Sequence, residues 1–179
     1  MFIDLVRTRR SIRRFQNRPV ENEQVDLLIE TALRAPSSRG FNPWEFVVVT
    51  EPETIARLSE AKPHGATFLK NAPLAIVVCA DPGKSDVWVE DAAIASIMLH
   101  LGATDLGLGS CWIQIRKRDH DSRQTAGDFV AGILGLRPEL AVEAIMAIGY
   151  PDQAPEPHAR SSLQYEKVSF ERYGRLGRP

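Results

Sequence analysis

The sequence predicts one α/β domain in which helices cover both faces of a central sheet. Helical and strand patterns alternate along the chain, in the order helix, strand, helix, strand, long helix, strand, helix, strand. The strand candidates are short and apolar, which is typical of strands that are covered on both faces. The chain has 179 residues and a hydrophobic fraction of 44%, so it is long enough to bury a core without disulfide or metal staples.

The first half of the chain supplies two helices and two strands. Apolar residues at helical spacing predict a helix over 22–35, which Pro36 ends. The β-branched run EFVVVT predicts a strand over 45–50. Pro52 favours the first turn of a short helix that follows. The run LAIVVCA predicts a second strand over 74–80, buried on both faces.

The second half begins with the longest predicted helix, over 86–106, with Gly107 as its cap. This helix is Ala-rich and almost entirely apolar over 92–101. That stretch needs cover all round, which a second subunit could supply. A third strand is predicted over 110–115 and a helix over 125–134, which Gly135 closes. The last strand is predicted over 143–148. The polar, aperiodic tail over 151–179 is then either disordered or wrapped on a partner.

The alternation of helices and strands, taken alone, favours a doubly wound parallel sheet. No GxGxxG sequence follows the first strand, however. The Gly-rich stretch Gly107-Leu108-Gly109 follows the long helix instead of joining a strand to a helix. It therefore fits neither the dinucleotide fingerprint nor the P-loop.

Composition and charge exclude several classes of protein. A net charge of -1 gives no reason to expect nucleic acid or an anionic membrane as a partner. The N-terminus lacks the pattern of a secretory signal, and no segment has the length of a membrane span, so we expect a cytoplasmic protein. Cys79 and Cys111 lie in apolar runs, which predicts buried, reduced thiols.

One local feature stands out against this neutral average. Six arginines fall within twelve residues, at positions 7, 9, 10, 13, 14 and 18. Guanidinium groups bind phosphate through paired, charge-assisted hydrogen bonds, and Arg9 and Arg13 would share a face if the segment were helical. A solvated basic face, a nucleic-acid patch and a phosphate site all remain open. Ile12 and Phe15 inside the cluster count against nucleic acid.

Two further stretches have residues suited to ligand binding. The loop APSSRGFNPW, over 35–44, offers hydroxyl and amide donors, although it is also an ordinary turn that leads Trp44 into the core. In GLGSCWI, over 107–113, glycines allow a planar ligand to approach the backbone. The same residues are equally consistent with a helix cap followed by a buried strand.

The order RRSIRRF, APSSxxxNPW, apolar helix, GLGSCWI and IGYP resembles the nitroreductase family, over 9–160. The family comprises FMN-dependent, homodimeric oxidoreductases. The resemblance implies an α+β fold, an α/β/α three-layer sandwich with a mixed, largely antiparallel sheet, in place of the parallel one. It also implies one FMN-binding domain over 1–179 and an intertwined homodimer with FMN at the subunit interface. The long helix would form the dimer core, and the 151–179 extension would wrap the partner.

The same resemblance assigns candidate flavin-binding residues. The residues expected at the FMN phosphate and at the polar edge of the ring are Arg9, Ser11 and Arg13. Arg10 would contribute mainly through its backbone or stem. Arg160, late in the chain, would reach the phosphate. The loop lent to the other subunit's flavin comprises Pro36, Ser37 and Ser38. Gly109 and Ser110 would pack near the reactive N5. Asn42 is a further candidate flavin ligand. Relatives often have Asn and Gln where this chain has Gly40 and Asn42, and Gly40 has no side-chain amide. His64 matches a ring-contacting position in some relatives, or is a surface loop histidine.

The implied reaction moves a hydride from NAD(P)H, through FMN, to a small organic acceptor such as a nitroaromatic or a quinone. It requires no protein nucleophile or base, so no catalytic residue is assigned, and the histidines show no metal-ligand spacing. A flavin-binding sensor or storage protein without turnover and a nucleic-acid module are the alternatives from other classes. A dehalogenase, a flavin-destroying enzyme and a dehydrogenase are further branches of the family.

Overall fold

The computed structural model describes residues 1–177, so the last two residues of the predicted C-terminal extension lie outside the described residues. The helices are α1 (Phe2–Thr8), α2 (Asn22–Leu33), α3 (Pro52–Leu58), α4 (Trp88–Asp105) and α5 (Ala126–Leu134). The strands are β1 (Trp44–Val49), β2 (Leu74–Ala80), β3 (Gly109–Gln114) and β4 (Ala141–Gly149). In chain order they run α1, α2, β1, α3, β2, α4, β3, α5, β4.

The elements that the sequence predicts are all present, with boundaries that agree to within about two residues. The exception is α1, which the sequence analysis missed. This helix has seven residues and buries none of them, so it leaves no apolar stripe in the sequence.

The sheet has the strand order β1-β2-β4-β3, and each neighbouring pair is antiparallel. The parallel sheet favoured by simple alternation is therefore wrong, and the largely antiparallel sheet implied by the resemblance is confirmed. One parallel contact is also present, an isolated bridge between Ser11, outside the named strands, and Ser110 of β3.

The path of each connection sets the direction of the next strand. The connection through α3 returns the chain to the end of the sheet where β1 left it, so β2 runs antiparallel to β1. The eighteen residues of α4 extend about 27 Å and do make a full crossover. As a result β2 and β3 run in the same direction, with β4 inserted between them.

Side chains that alternate along the strands divide the core into two layers. On one face of the sheet, α2 and α4 cover an apolar set from β2 and β4, comprising Leu74, Ile76, Val78, Met146 and Ile148. On the other face, α3 and α5 cover Ala75, Val77, Cys79, Ile145 and Ala147. The result is the expected three-layer α/β/α sandwich.

Helix α4 is covered by its own chain on one side only. Ala92, Ala95, Leu99 and Ala103 are fully buried, whereas Ile97 at the middle of the helix keeps 45% of its surface exposed. The segment after Tyr150 also leaves large apolar side chains in solvent, namely Leu163, Tyr165, Val168, Tyr173 and Leu176. Two apolar surfaces of this chain therefore have no cover within the described residues.

The two cysteines behave as buried, unbridged thiols. Burial, with a smaller effect of Glu45, raises the pKa of Cys79 to about 12. Cys79 is therefore a neutral core residue. Among residues 1–177, no helix combines the length and the apolar character needed to cross a bilayer.

Candidate functional site

The arginine-rich segment is extended and is fixed against the start of β3. Helix α1 ends at Thr8, and the Ile12 N–H donates to the Ser110 carbonyl at 2.9 Å. Ile12 and Phe15 are buried and anchor the segment in the core. The segment is not helical, so Arg9 and Arg13 do not share a helix face. Pairing with β3 instead lays Ser11 beside Ser110.

Gly109 permits this close packing. A Cβ at Gly109 would stand 2.7 Å from the Cβ of Ile12, far inside normal contact distance. The absent side chain therefore makes room for the arginine-rich segment itself. Sequence reasoning linked this glycine to the approach of a planar ligand, and its contact with Ile12 is an additional reason for a glycine here.

The six N-terminal arginines have different surroundings. Arg7 pairs with Asp4 at 3.1 Å, and Arg18 pairs with Glu21 at 3.1 Å while stacking on Tyr150. Arg14 donates to the Asp152 carbonyl at 3.2 Å. Within residues 1–177, no carboxylate lies at ion-pair distance from the other three, Arg9, Arg10 and Arg13. Arg13 instead lies 5.9 Å from the ring centre of Phe68.

The structure adds His100 of α4, which sequence reasoning left without a role. Its Nε2 lies 2.9 Å from the Arg9 guanidinium, and its Nδ1 is hydrogen-bonded to the Ser110 hydroxyl. Burial, and then the charge of Arg9, lower the pKa of His100 to about 4. His100 is therefore neutral at pH 7. A histidine in the apolar stretch 92–101 of this helix, ten residues before Ser110, was the available signal in the sequence.

Cys111 and Lys62 border the same region. Burial raises the pKa of the Cys111 thiol, and the nearby charges of Arg13, Lys62 and Arg9, with the Ser11 hydroxyl, only partly oppose that rise. Burial and then Arg118 lower the pKa of Lys62. Cys111 is thus a buried neutral thiol, and Lys62 adds a further cation that the sequence analysis did not single out.

The loop after α2 lies at the other end of α4. The Ser38 N–H donates to Asp91 Oδ1 at 2.8 Å, and Ser85 donates to the other oxygen of the same carboxylate at 2.9 Å. Asp91 and His100 are nine residues apart on α4, a separation of about 14 Å along the axis. Within one chain, the Pro36–Ser38 loop therefore does not meet the arginine-rich segment.

This loop is closed by its own side chains. Ser37 Oγ donates to Asn42 Oδ1 at 2.7 Å and accepts from the Asn42 N–H at 2.9 Å. Asn42 has a φ of 46°, in the left-handed region that asparagine tolerates better than most residues. Trp44 is buried, as the interpretation of this stretch as an ordinary turn requires.

Two predicted residues are exposed. His64 lies in the loop between α3 and β2, two residues after Lys62. Arg160 lies in the 3-10 turn Arg160–Ser162, and its guanidinium forms no ion pair within residues 1–177.

Two other polar regions of the described chain were candidates for a second site. Asp121 Oδ1 accepts from the N–H groups of Arg123 and Gln124, and His120 stacks on Phe129, so this stretch is a polar turn. Residues 1–177 hold no cluster of three or more potential metal ligands. A cleft of about 860 Å³ opens between Pro19, Thr50 and Asn71, but none of the predicted site residues lines it.

The arrangement suits a ligand with a phosphate group. Arginine side chains without acidic partners bind phosphate through charge-assisted hydrogen bonds, and the Ser11 hydroxyl can add another donor. The Arg9 guanidinium contacts the neutral His100, which carries no charge to compete with an anion for the guanidinium. The donor set therefore fits the phosphate of FMN, which the sequence resemblance implied.

Comparison with known proteins identifies the family of this chain. The profile of the Nitroreductase family matches residues 6–67 and 60–150. An FMN-dependent nitroreductase from Clostridium difficile R20291 is 44% identical, with a TM-score of 0.94 over 96% of this chain and 99% of that one. A protein from Archaeoglobus fulgidus, provisionally named NADH dehydrogenase/NAD(P)H nitroreductase, is 35% identical over 83% of this chain and 84% of its own length. A Thermus thermophilus protein named NADH dehydrogenase is 30% identical over 87% of this chain and 89% of its own length. The fold and these matches together show that this chain belongs to the nitroreductase family.

Proposed function

We propose that this nitroreductase-family oxidoreductase binds FMN against its arginine-rich segment and uses NAD(P)H to reduce a small organic acceptor. The observation that carries the proposal is the group Arg9, Arg10 and Arg13, which have no carboxylate partner within residues 1–177 and flank Ser11 beside the start of β3. Support also comes from the 44% identical relative, whose name states its dependence on FMN. NAD(P)H enters as a proposal because the names of other relatives include it.

The residues of this chain would hold the two ends of FMN differently. Arg9 and Ser11 would bind the phosphate, with Arg10 contributing its backbone or stem, because phosphate takes donors from guanidinium and hydroxyl groups. Arg13 would stand at the polar edge of the ring, where a positive charge favours an electron-rich flavin. Gly109 and Ser110 would pack near N5.

When bound, FMN would supply the redox chemistry, taking a hydride from NAD(P)H and giving it to an acceptor such as a nitroaromatic or a quinone. The protein would bind FMN, orient its ring system and keep the charge around the ring positive. Burial raises the pKa of the Cys111 thiol, so the reactive thiolate is disfavoured at pH 7, and His100 is a neutral imidazole. We propose no catalytic residue, because the hydride transfer would need no protein nucleophile.

We further propose that the complete site needs two chains. Ile97, the exposed apolar residue, lies at the middle of α4, while the Ser38 loop and the His100 end lie on either side of it. A two-fold axis near Ile97 would pair the helices in antiparallel fashion. Each Pro36–Ser38 loop would then approach the partner's Ser110 end. Arg160, on the exposed tail, would reach the partner's phosphate site in the same manner.

Asn42 and His64 have different support as flavin ligands. The carbonyl oxygen of the Asn42 side chain already accepts a hydrogen bond from Ser37, so we propose that Asn42 mainly shapes the loop that the partner's flavin meets. His64 is exposed and lies two residues after Lys62, whose charge acts on Cys111. We propose that His64 borders the ring from this loop.

Steady-state oxidation of NADH and of NADPH tests the enzymatic proposal. The protein is loaded with FMN and assayed with a nitroaromatic and with a quinone. We expect oxidation that depends on both the acceptor and FMN. Bound FMN without turnover with either acceptor would support the sensor or storage alternative instead. Salt-dependent binding of DNA by a protein that takes up no FMN would support the nucleic-acid module.

A further inference from the structure

His100 links two parts of the candidate site that are distant in sequence. It lies in the last third of α4 and is 7% exposed. One ring nitrogen contacts the Arg9 guanidinium and the other contacts the Ser110 hydroxyl. The proposed function gives no role to this buried, titratable group.

The chemistry of the two neighbours fixes the tautomer of His100. A guanidinium carries N–H groups only, so Arg9 must donate and Nε2 must accept. The proton of the neutral ring then resides on Nδ1, which donates to Ser110 Oγ. The imidazole thus accepts from the arginine and donates to the serine, and each ring nitrogen has one partner.

This arrangement ties the arginine-rich segment to β3 at a second point. The first tie is through the backbone, from the Ile12 N–H to the Ser110 carbonyl at 2.9 Å. The second runs through side chains, from Arg9 through His100 to the hydroxyl of the same serine. The guanidinium plane of Arg9 is therefore fixed relative to Ser11, although Arg9 has a long and otherwise mobile side chain.

We infer that His100 is a positioning residue that holds the Arg9 guanidinium in the orientation needed to bind the flavin phosphate. The inference rests on the proposed function, in which Arg9 binds that phosphate. A planar guanidinium binds phosphate well only when its N–H groups point at the oxygens, so fixing the plane increases affinity. His100 then favours FMN over riboflavin, because riboflavin shares the ring system and lacks the phosphate.

Two conservative variants separate the two hydrogen bonds of His100. The amide of His100→Gln reaches about as far as Nε2 and can accept from Arg9. The amide of His100→Asn reaches only about as far as Nδ1, so it can contact Ser110 but not Arg9. Both variants are polar and uncharged, and the test therefore does not depend on an apolar substitution that could prevent folding.

Equilibrium binding of FMN and of riboflavin is measured for the full chain and both variants by quenching of flavin fluorescence. We expect His100→Asn to weaken FMN binding about tenfold, the loss typical of one hydrogen bond to a charged group, and to change riboflavin binding less than about twofold. We expect His100→Gln to retain most of the preference for FMN.

The possible results distinguish this inference from the proposed function. Equal losses of FMN and riboflavin in His100→Asn, or no loss of either, would overturn the positioning role while leaving the FMN site intact. A native chain that binds neither flavin would overturn the proposed function, and the inference with it. If His100→Asn loses affinity for FMN but not for riboflavin, and His100→Gln keeps the affinity for FMN, the result supports both the FMN site and the positioning role of His100.

Discussion

At the scale of single residues, the surroundings of each arginine decide its role. Composition shows six arginines in a short segment, and spacing alone does not separate them. The three-dimensional structure distinguishes these arginines, because Arg7 and Arg18 pair with acidic side chains while Arg9 contacts a neutral histidine. An acidic partner already satisfies a guanidinium, whereas a neutral imidazole leaves its positive charge available to an anion.

His100 gives a prediction for stability against pH. Its pKa is about 4 in the folded protein and 6.5 in the unfolded chain, chiefly because burial disfavours the charged ring. As pH falls from 6.5 to 4, the unfolded chain takes up a proton that the folded protein does not. The free energy of unfolding should therefore fall by on the order of 3 kcal/mol between pH 6.5 and pH 4. Above pH 6.5, His100 should not change the free energy of unfolding.

Urea unfolding at pH values from 7 to 4 measures this effect. His100→Gln is the matched control, because glutamine keeps a hydrogen-bonding side chain and does not titrate. We expect the native chain to lose more stability than the variant between pH 6.5 and pH 4. Parallel pH profiles for the two proteins would show that His100 is not the titrating group.

At the scale of elements, sequence patterns predict which segments form helices and strands but not how the strands pair. The apolar run of β2 is found over the predicted residues, because a fully buried strand has a clear composition. Strand direction depends on the end of the sheet at which each connection re-enters it, and the connections through α3, α4 and α5 are all long enough to cross the sheet. Their local sequence patterns therefore do not distinguish a parallel neighbour from an antiparallel one. Helix α1 was missed because it buries nothing.

Helix α4 also illustrates what a sequence can say about assembly. Its apolar character predicted that one chain would not cover it, and Ile97 remains exposed at its centre. The sequence did not indicate that the Ser38 loop and His100 would lie at opposite ends of the helix, because that depends on the long-range hydrogen bond from Ser38 to Asp91.

Substitution of Ile97 tests the proposed dimer. Ile97→Glu leaves the single chain able to fold, since the side chain is exposed and glutamate favours helices. At a two-fold helix contact it would bury an unpaired charge in each chain and weaken association at least about a hundredfold. Sedimentation should give twice the 19.9 kDa chain mass for the native protein and the single mass for the variant.

Arg57→Glu is the control for this experiment. Arg57 is an exposed residue of α3, in the helical layer on the other face of the sheet, so its charge reversal should leave the dimer unchanged. A native protein that sediments as a single chain, or a dimeric Ile97→Glu variant, would contradict the proposed assembly.

At the scale of the whole molecule, the candidate site is distributed over parts that one chain keeps separate. The motif order in the sequence led to the family and to the three-layer fold, both of which are confirmed. Of the predicted residues, the structure brings together Ser11, Gly109 and Ser110 with Arg9 nearby. The Pro36–Ser38 loop lies at the other end of α4 and Arg160 lies in the exposed tail, so the part proposed for them in the site requires the proposed second subunit.

The most direct test of the account is equilibrium FMN binding to the purified protein, followed through the visible absorption of the flavin. We predict binding of one FMN per chain, a tenfold or greater loss of affinity in Arg9→Ala, and little change in Arg7→Ala, whose arginine already pairs with Asp4. A colourless protein that takes up no added FMN, or an Arg9→Ala variant that binds FMN as tightly as the native chain, would contradict it.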